Sequence, residues 1–312
     1  MSSITLIALA AMASSQQVAV TTFKFENTTP AFEREQGPSV CIDEAHHNFH
    51  TLEGRYAPFG TLMRDDGYRV VPFNESFDAE ALGRCDVLVI ASALSSENAA
   101  RDQGFPHRSA FSQSEINALF RWIDGGGSLL LISDHPPFSP AAADLIAVLG
   151  AASVHTSTVA IPKKTDVFRR IDGTLRDHVI LEGRHPDERV ASVATFSGSA
   201  FYLSSHFKPL LVLGPEAYGI TYLRENLGSL PREALPRYDL AGWAQAATRH
   251  LGEGRVAILG EASMCTAQQD EYGPFGMNHP DAASNAQFCV NLVRWLSGVL
   301  VDPTVSDADR LR

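Results

Sequence analysis

The chain has 312 residues, 45% of them hydrophobic and 20% charged, which is ample for a sizeable core in one large domain or two small ones. Its formal net charge is −11, and its densest basic group (Lys163, Lys164, Arg169 and Arg170) is interrupted by Asp166 and Asp172, so the composition argues for no nucleic acid partner. The four cysteines form no CxxC pair, which excludes a zinc ribbon and a dithiol redox motif.

In chain order, Ile4 to Met12 is a short apolar run, and Ala11-Met12-Ala13 has the small-x-small form of a signal-peptidase site. Residues 1–13 therefore read as a signal peptide, with a periplasmic or secreted protein as the expectation and a buried first strand as the alternative. The run is too short to span a bilayer, and nothing later is long and apolar enough for a membrane helix. Residues 14–37 are polar and aperiodic, a linker or an N-terminal arm. Alternation then begins. Ser39 to Ile42 reads as a strand, "YAPFGTLMRDDGY" as a helix, "YRVVPF" as a strand, "DAEALGRC" as a short helix and "DVLVIASAL" as a buried strand. In "SQSEINALFRWIDGGG", Ser112 or Ser114 can cap a helix that places Ile116, Leu119, Phe120 and Ile123 on one face. "SLLLIS" is the next buried strand, and "SPAAADLIAVLGA" the next helix. "VASVATF", "AFYLSS", "PLLVLG" and "RVAILG" read as further strands, with a long surface excursion at 216–240, and "AASNAQFCVNLVRWLSG" as a closing helix.

This order predicts βαβ crossovers and a single α/β domain over 38–300, with a mostly parallel central sheet, helices on both faces and a tail at 301–312. The strands beginning near Ser39, Arg69, Asp86 and Ser128 should be neighbours. Cys41, Cys85 and Cys289 sit in apolar segments and read as small hydrophobes, whereas Cys265 lies among polar residues past a strand. An oxidising compartment would permit a disulfide, but the spacing selects no pair.

Ligands of open parallel sheets bind beyond the carboxyl ends of the strands, so the polar residues there are the candidates. "DEAHHNFH" places Asp43, Glu44, His46, His47 and His50 after the first strand. Asp134 and His135 follow "SLLLIS", and Glu261 follows "RVAILG". Each has a structural alternative: Asp134 as a helix cap, Glu261 as a solvated strand end, the histidines as a wet loop. Three strand ends that each deliver carboxylate or imidazole favour a pocket, with Glu44, His46, His50, Asp134, His135 and Glu261 as its catalytic candidates. The same residue types suit a divalent transition metal such as zinc, with His46, His50, Asp134 and His135 as ligands, although HExxH is absent. If the segment is helical, His46 and His50 share an inward face and His47 turns away. No GxSxG occurs, and "GGGS" at 125–128 ends a helix before a strand, the reverse of a nucleotide fingerprint.

The blocks "DEAHHNFHT", "GRYAPF", "LLLISDHPPF", "TFSGSAF", "GRVAILGEASMCTAQ" and "GMNHPDAASNAQFCVNLVRWLSG" together resemble a bacterial family of unassigned function with a class I glutamine amidotransferase-like, flavodoxin-like α/β fold. The resemblance covers roughly residues 38–300 and implies that fold, with no settled activity. Amidotransferases of this class carry a nucleophilic Cys in a Gly-x-Cys-x-Gly turn. The comparable turn here is Ser133-Asp134-His135-Pro136, without a thiol, so glutamine hydrolysis by that route is not implied. The resulting expectation is an exported hydrolase of a polar small molecule or a carbohydrate- or peptide-like substrate, working through the His/Asp/Glu cluster, with or without a metal. The alternative is a non-catalytic binding protein that reuses the cleft.

Overall fold

The structure is a computed structural model that describes residues 17–100, 106–155, 157–159, 165–220 and 234–303. The expected signal peptide, part of the 216–240 excursion and most of the tail lie outside the described residues.

The main sheet has nine strands. Its parallel block runs, in spatial order, Arg69–Phe73, Ser39–Asp43, Val87–Ala91, Ser128–Ile132 and Gly254–Leu259. The four strands expected to be neighbours are therefore neighbours. The central members read as continuous apolar runs because both faces are covered. Val40, Ile42, Val87, Val89, Leu130 and Ile132 enter one core, with Phe59, Leu62 and Met63 of the helix Ala57–Asp65 and with the helix Asn285–Leu296. The alternate residues Cys41, Leu88, Ile90, Leu129 and Leu131 enter the other, with Ile116, Leu119 and Ile123 of the helix Gln113–Asp124. Each fully buried Leu or Ile contributes about 1.5–3 kcal/mol of transfer free energy.

The sheet is not mostly parallel. From Gly254–Leu259 outward it continues antiparallel through Ala244–Leu251, Phe201–Leu203 and Ala151–Ser153, with Lys208–Val212 also pairing to Ala244–Leu251. The switch is a tight hairpin in which Leu251 pairs with Gly254. Gly252, at φ +55°, takes the first position of its two-residue turn, where a positive φ is needed to match the twist of the strands.

The arm before the domain is built into it. Val18–Ala19 pairs with Gln268 and Gln269, and Phe23, Phe25 and Phe32 pack against the core. Asn27 Nδ2 and the Ala31 N–H donate to Asp66 Oδ1 at 2.8 and 2.9 Å. Asp66 in turn pairs with the fully buried Arg294, which also reaches Glu188 at 2.8 Å and the Thr29 carbonyl at 2.9 Å. At the other end of the described chain, the buried Asp302 Oδ2 sits 3.6 Å from His178 Nε2, 3.6 Å from His250 Nε2 and 3.8 Å from Lys208 Nζ. No helix among the described residues is long and apolar enough to cross a membrane.

All four cysteines are paired, Cys41 with Cys85 and Cys265 with Cys289. The reading of three of them as plain hydrophobes is corrected. They are buried as expected, but as disulfides, because each partner comes from an adjacent element that sequence distance conceals.

Candidate functional site

The first strand ends at Asp43, whose fully buried carboxylate organises the loop after it. It accepts hydrogen bonds from the Ala45 N–H at 3.2 Å, from Asn48 Nδ2 at 3.0 Å and from His46 Nδ1 at 2.9 Å. Asn48 Oδ1 accepts the His46 N–H, and His47 adopts φ +48°, so the segment is a folded loop and not a helix. His46 and His50 are both buried and His47 is exposed, as expected, but the loop sends the two inward rings to different neighbours.

His46 Nε2 contacts Glu115 Oε1 at 3.0 Å, so both ring nitrogens face carboxylates. Burial works against its charge, but Asp43 and Glu115 outweigh burial and hold the imidazole above its ordinary range. Glu115 is a site residue that the strand-end rule misses. The signal for it is the capping box at the start of its helix, where Ser112 accepts the Glu115 N–H and Glu115 accepts the Ser112 N–H. That box fixes the carboxylate where His46 meets it. A cleft of about 420 Å³ opens beside Glu115, lined also by Phe77, Asp78, Ser112 and Arg121. Glu44, expected among the catalytic candidates, closes the same loop by accepting the Leu52 N–H at 2.7 Å.

The second group of polar residues gathers around the turn after Gly254–Leu259. Asp134 Oδ2 accepts the Ala262 N–H at 3.0 Å, and Asp134 Oδ1 accepts the His135 N–H at 2.6 Å. Glu261 accepts the Ser263 and Met264 N–H groups at 2.8 and 2.7 Å. Burial first, and the Asp134 charge second, push the Glu261 carboxyl up to about 8 against the pull of those N–H donors. The buried Tyr56 donates its hydroxyl to the Ala262 carbonyl at 3.2 Å, and its phenol is raised by burial and by Glu261 and Asp134. His50 stacks edge-on against Tyr56, with ring centroids 5.0 Å apart. Burial, reinforced by Arg55 and His135, depresses its imidazole to about 3.

His135 is the group in this set that solvent reaches, with a side chain 43% exposed. Its Nδ1 lies 2.8 Å from the Pro136 carbonyl oxygen, which can only accept, so the ring proton sits on Nδ1. Nε2 is left as a proton acceptor, 3.8 Å from Asp134 Oδ1.

Asp134, His135, Glu261 and His50 are thus brought into one neighbourhood, while His46 is held apart by Asp43 and Glu115. The four-ligand metal set His46, His50, Asp134 and His135 is not assembled. Among the described residues no group of three His, Cys, Asp or Glu side chains is placed to hold a metal ion, and the nitrogens of His46 are already engaged. A further residue is conspicuous beside these groups. Ser92, immediately past Val87–Ala91, adopts φ +56° and is fully buried.

No family model and no curated protein matches the chain. Solved structures with a similar fold include the mmIFT52 N-terminal domain, at 12% identity and a TM-score of 0.56, covering 83% of this chain and 97% of that one. A ThuA-like protein from Bacteroides uniformis ATCC 8492 aligns at 13% identity and a TM-score of 0.48, over 93% of this chain and 99% of that one. A β-galactosidase from Rahnella sp. R3 aligns at 10% identity and a TM-score of 0.44, over 83% of this chain but 31% of that one. At 12% identity the likeness to the mmIFT52 N-terminal domain is one of mixed α/β fold.

Proposed function

We propose that the protein is an exported hydrolase of a polar small molecule, or of a carbohydrate- or peptide-like substrate, built on an amidotransferase-like fold without the amidotransferase thiol. The observation that carries this reading is His135: a half-exposed imidazole whose tautomer is fixed by the Pro136 carbonyl, leaving Nε2 to accept a proton, with Asp134 Oδ1 3.8 Å from that same nitrogen. In that role Nε2 takes a proton from water or from a substrate hydroxyl, and the Asp134 carboxylate favours the imidazolium that forms. Burial and the Asp134 charge keep the Glu261 carboxyl raised to about 8 in the same neighbourhood, the pattern of a carboxyl held as an acid beside one held as a base. The two disulfides support export, since such bonds persist in oxidising compartments.

The test is turnover of a panel of chromogenic esters, glycosides and peptides by the oxidised protein, compared with His135→Gln and Asp134→Asn of verified fold. Loss of at least about 100-fold in kcat/KM in both variants is expected, in the range of a removed general base. No turnover of any panel member, together with saturable binding of an unreacted sugar or peptide, would replace the hydrolase with a binding protein. Elemental analysis of the same preparation checks the metal-assisted form of the reaction.

A further inference from the structure

The strand order of the parallel block reverses once. The chain passes from Ser39–Asp43 to Arg69–Phe73 on one side, then returns to Val87–Ala91 on the other. Open α/β sheets bind ligands outside the carboxyl ends of their strands, at such a reversal. The cleft of about 420 Å³ beside Glu115 is built from the connections that leave these strands, and hydrolysis at His135 makes no use of it. One wall is the segment Ser76 to Ala79, which follows Arg69–Phe73. The other is the start of the helix Gln113–Asp124, reached from Val87–Ala91. His46, from the loop after Ser39–Asp43, touches both walls: its ring centroid is 4.4 Å from that of Phe77, and its Nε2 is 3.0 Å from Glu115 Oε1. Small-molecule sites occupy about 300–1,000 Å³, and this space falls among them.

The charged groups of the lining differ in what they have left to offer. Glu115 is spent within the protein. Its Oε1 faces His46 Nε2 and accepts the Phe77 N–H at 3.3 Å, and its Oε2 accepts the Ser112 N–H and hydroxyl at 2.9 and 2.7 Å. Asp78 is half spent. Its Oδ1 caps the helix Ala79–Leu82 by accepting the Glu80 and Ala81 N–H groups at 2.9 and 2.8 Å, while its Oδ2 makes no hydrogen bond among the described residues. Arg84, further along the same connection, is taken by Glu75 at 2.6 Å. The Arg121 guanidinium has no hydrogen bond or ion pair among the described residues. One cation and one carboxylate oxygen thus line a single cleft without pairing to each other, beside apolar surface from Phe77 and Ala118. A small molecule that satisfies all three carries a carboxylate, an ammonium and an apolar group.

We propose that this cleft binds a free α-amino acid with an apolar side chain, its carboxylate on Arg121, its ammonium on Asp78 and its side chain against Phe77 and Ala118. A guanidinium fork matches a carboxylate with two parallel hydrogen bonds, and charge-assisted contacts of this kind are the strong ones. None of the residues assigned to hydrolysis takes part, so the two readings fail separately.

The test is titration calorimetry of the oxidised full chain with L-phenylalanine, 3-phenylpropionate and phenethylamine, which share one side chain and carry both charges, the negative alone and the positive alone. L-Phenylalanine is expected to saturate one site, with each analogue at least about tenfold weaker, the scale of one lost charge-assisted contact. Arg121→Gln and Asp78→Asn should each weaken L-phenylalanine by a similar factor, and His135→Gln should bind it as wild type does. Both substituted positions are exposed, and asparagine caps a helix as well as aspartate, so the fold should persist, verified by circular dichroism. Amide chemical shifts of Phe77, Glu115 and Ala118 should move on binding. No saturation by L-phenylalanine up to about 10 mM, equal affinity for a singly charged analogue, or unchanged binding in either Arg121→Gln or Asp78→Asn would overturn the assignment. Loss of binding in His135→Gln, with shifts confined to residues around Asp134, would overturn it by placing the ligand at the other group.

Discussion

Replacing Cys41 and Cys85 together by alanine removes the bridge that ties the first parallel strand to the entry of its neighbour. The bridge spans 44 residues, and the loop-closure relation for a cross-link of that length gives about 4 kcal/mol at 25 °C. The second bridge, Cys265–Cys289, spans 24 residues and gives about 3.5 kcal/mol on the same relation. Both bridges are buried, so the substitutions also forfeit packing, and these figures are lower limits on that count. With an unfolding entropy of about 2.1 cal/mol/K per residue over this chain, 4 kcal/mol corresponds to a fall of about 6 °C in Tm. Urea titration of oxidised wild type and the Cys41→Ala/Cys85→Ala variant measures the difference, and thiol titration of unfolded, unreduced wild type checks the premise. A loss below about 1 kcal/mol, or four reactive thiols in the wild type, would refute the reasoning and withdraw the support that the bridges give to export.

His46→Ala should destabilise the protein by about 3–5 kcal/mol near pH 6, since it strands the buried Asp43 without its cation; urea titrations at pH 6 and 9 measure it. Because the folded imidazole titrates above its unfolded value of 6.5, its contribution is complete below that value and is lost as pH rises through the folded one, so the variant's deficit should shrink at pH 9. An equal deficit at both pH values would contradict the ion-pair account. For Glu261, the folded form keeps a proton that the unfolded chain loses, so its contribution is full below about 4.5 and disappears as pH rises through about 8. Glu261→Gln should therefore be less stable than wild type at pH 5, because one backbone N–H loses its acceptor, and the gap should close by pH 9. Parallel stability curves would show that Glu261 does not hold this proton.

The parallel block was legible because its strands are buried on both faces and announce themselves as apolar runs. The antiparallel half was not. Ala244–Leu251 mixes Gln, Thr, Arg and His into its run, and only the "LGEG" turn after it signals a hairpin. At the candidate site, the strand-end rule expected Asp134, His135 and Glu261 to gather, and the structure places them in one neighbourhood. The rule could not show that Asp43 and Asn48 fold the histidine loop, since local side-chain hydrogen bonds leave no periodicity. Helical spacing paired His46 with His50 for a reason the structure does not share. Ser92 was invisible for a different cause: a left-handed backbone at a serine has no composition signature.

The arm has a bearing on modularity. Residues 38–300 look like a self-contained unit on periodicity alone, yet Asp66 and Glu188 inside it accept hydrogen bonds from Asn27, Ala31 and Thr29 outside it, and Arg294 donates to the Thr29 carbonyl. Asp302, beyond the other boundary, is held by two histidines and a lysine. The piece that could be transplanted or fused as one folding module therefore runs from about Val18 to Asp302.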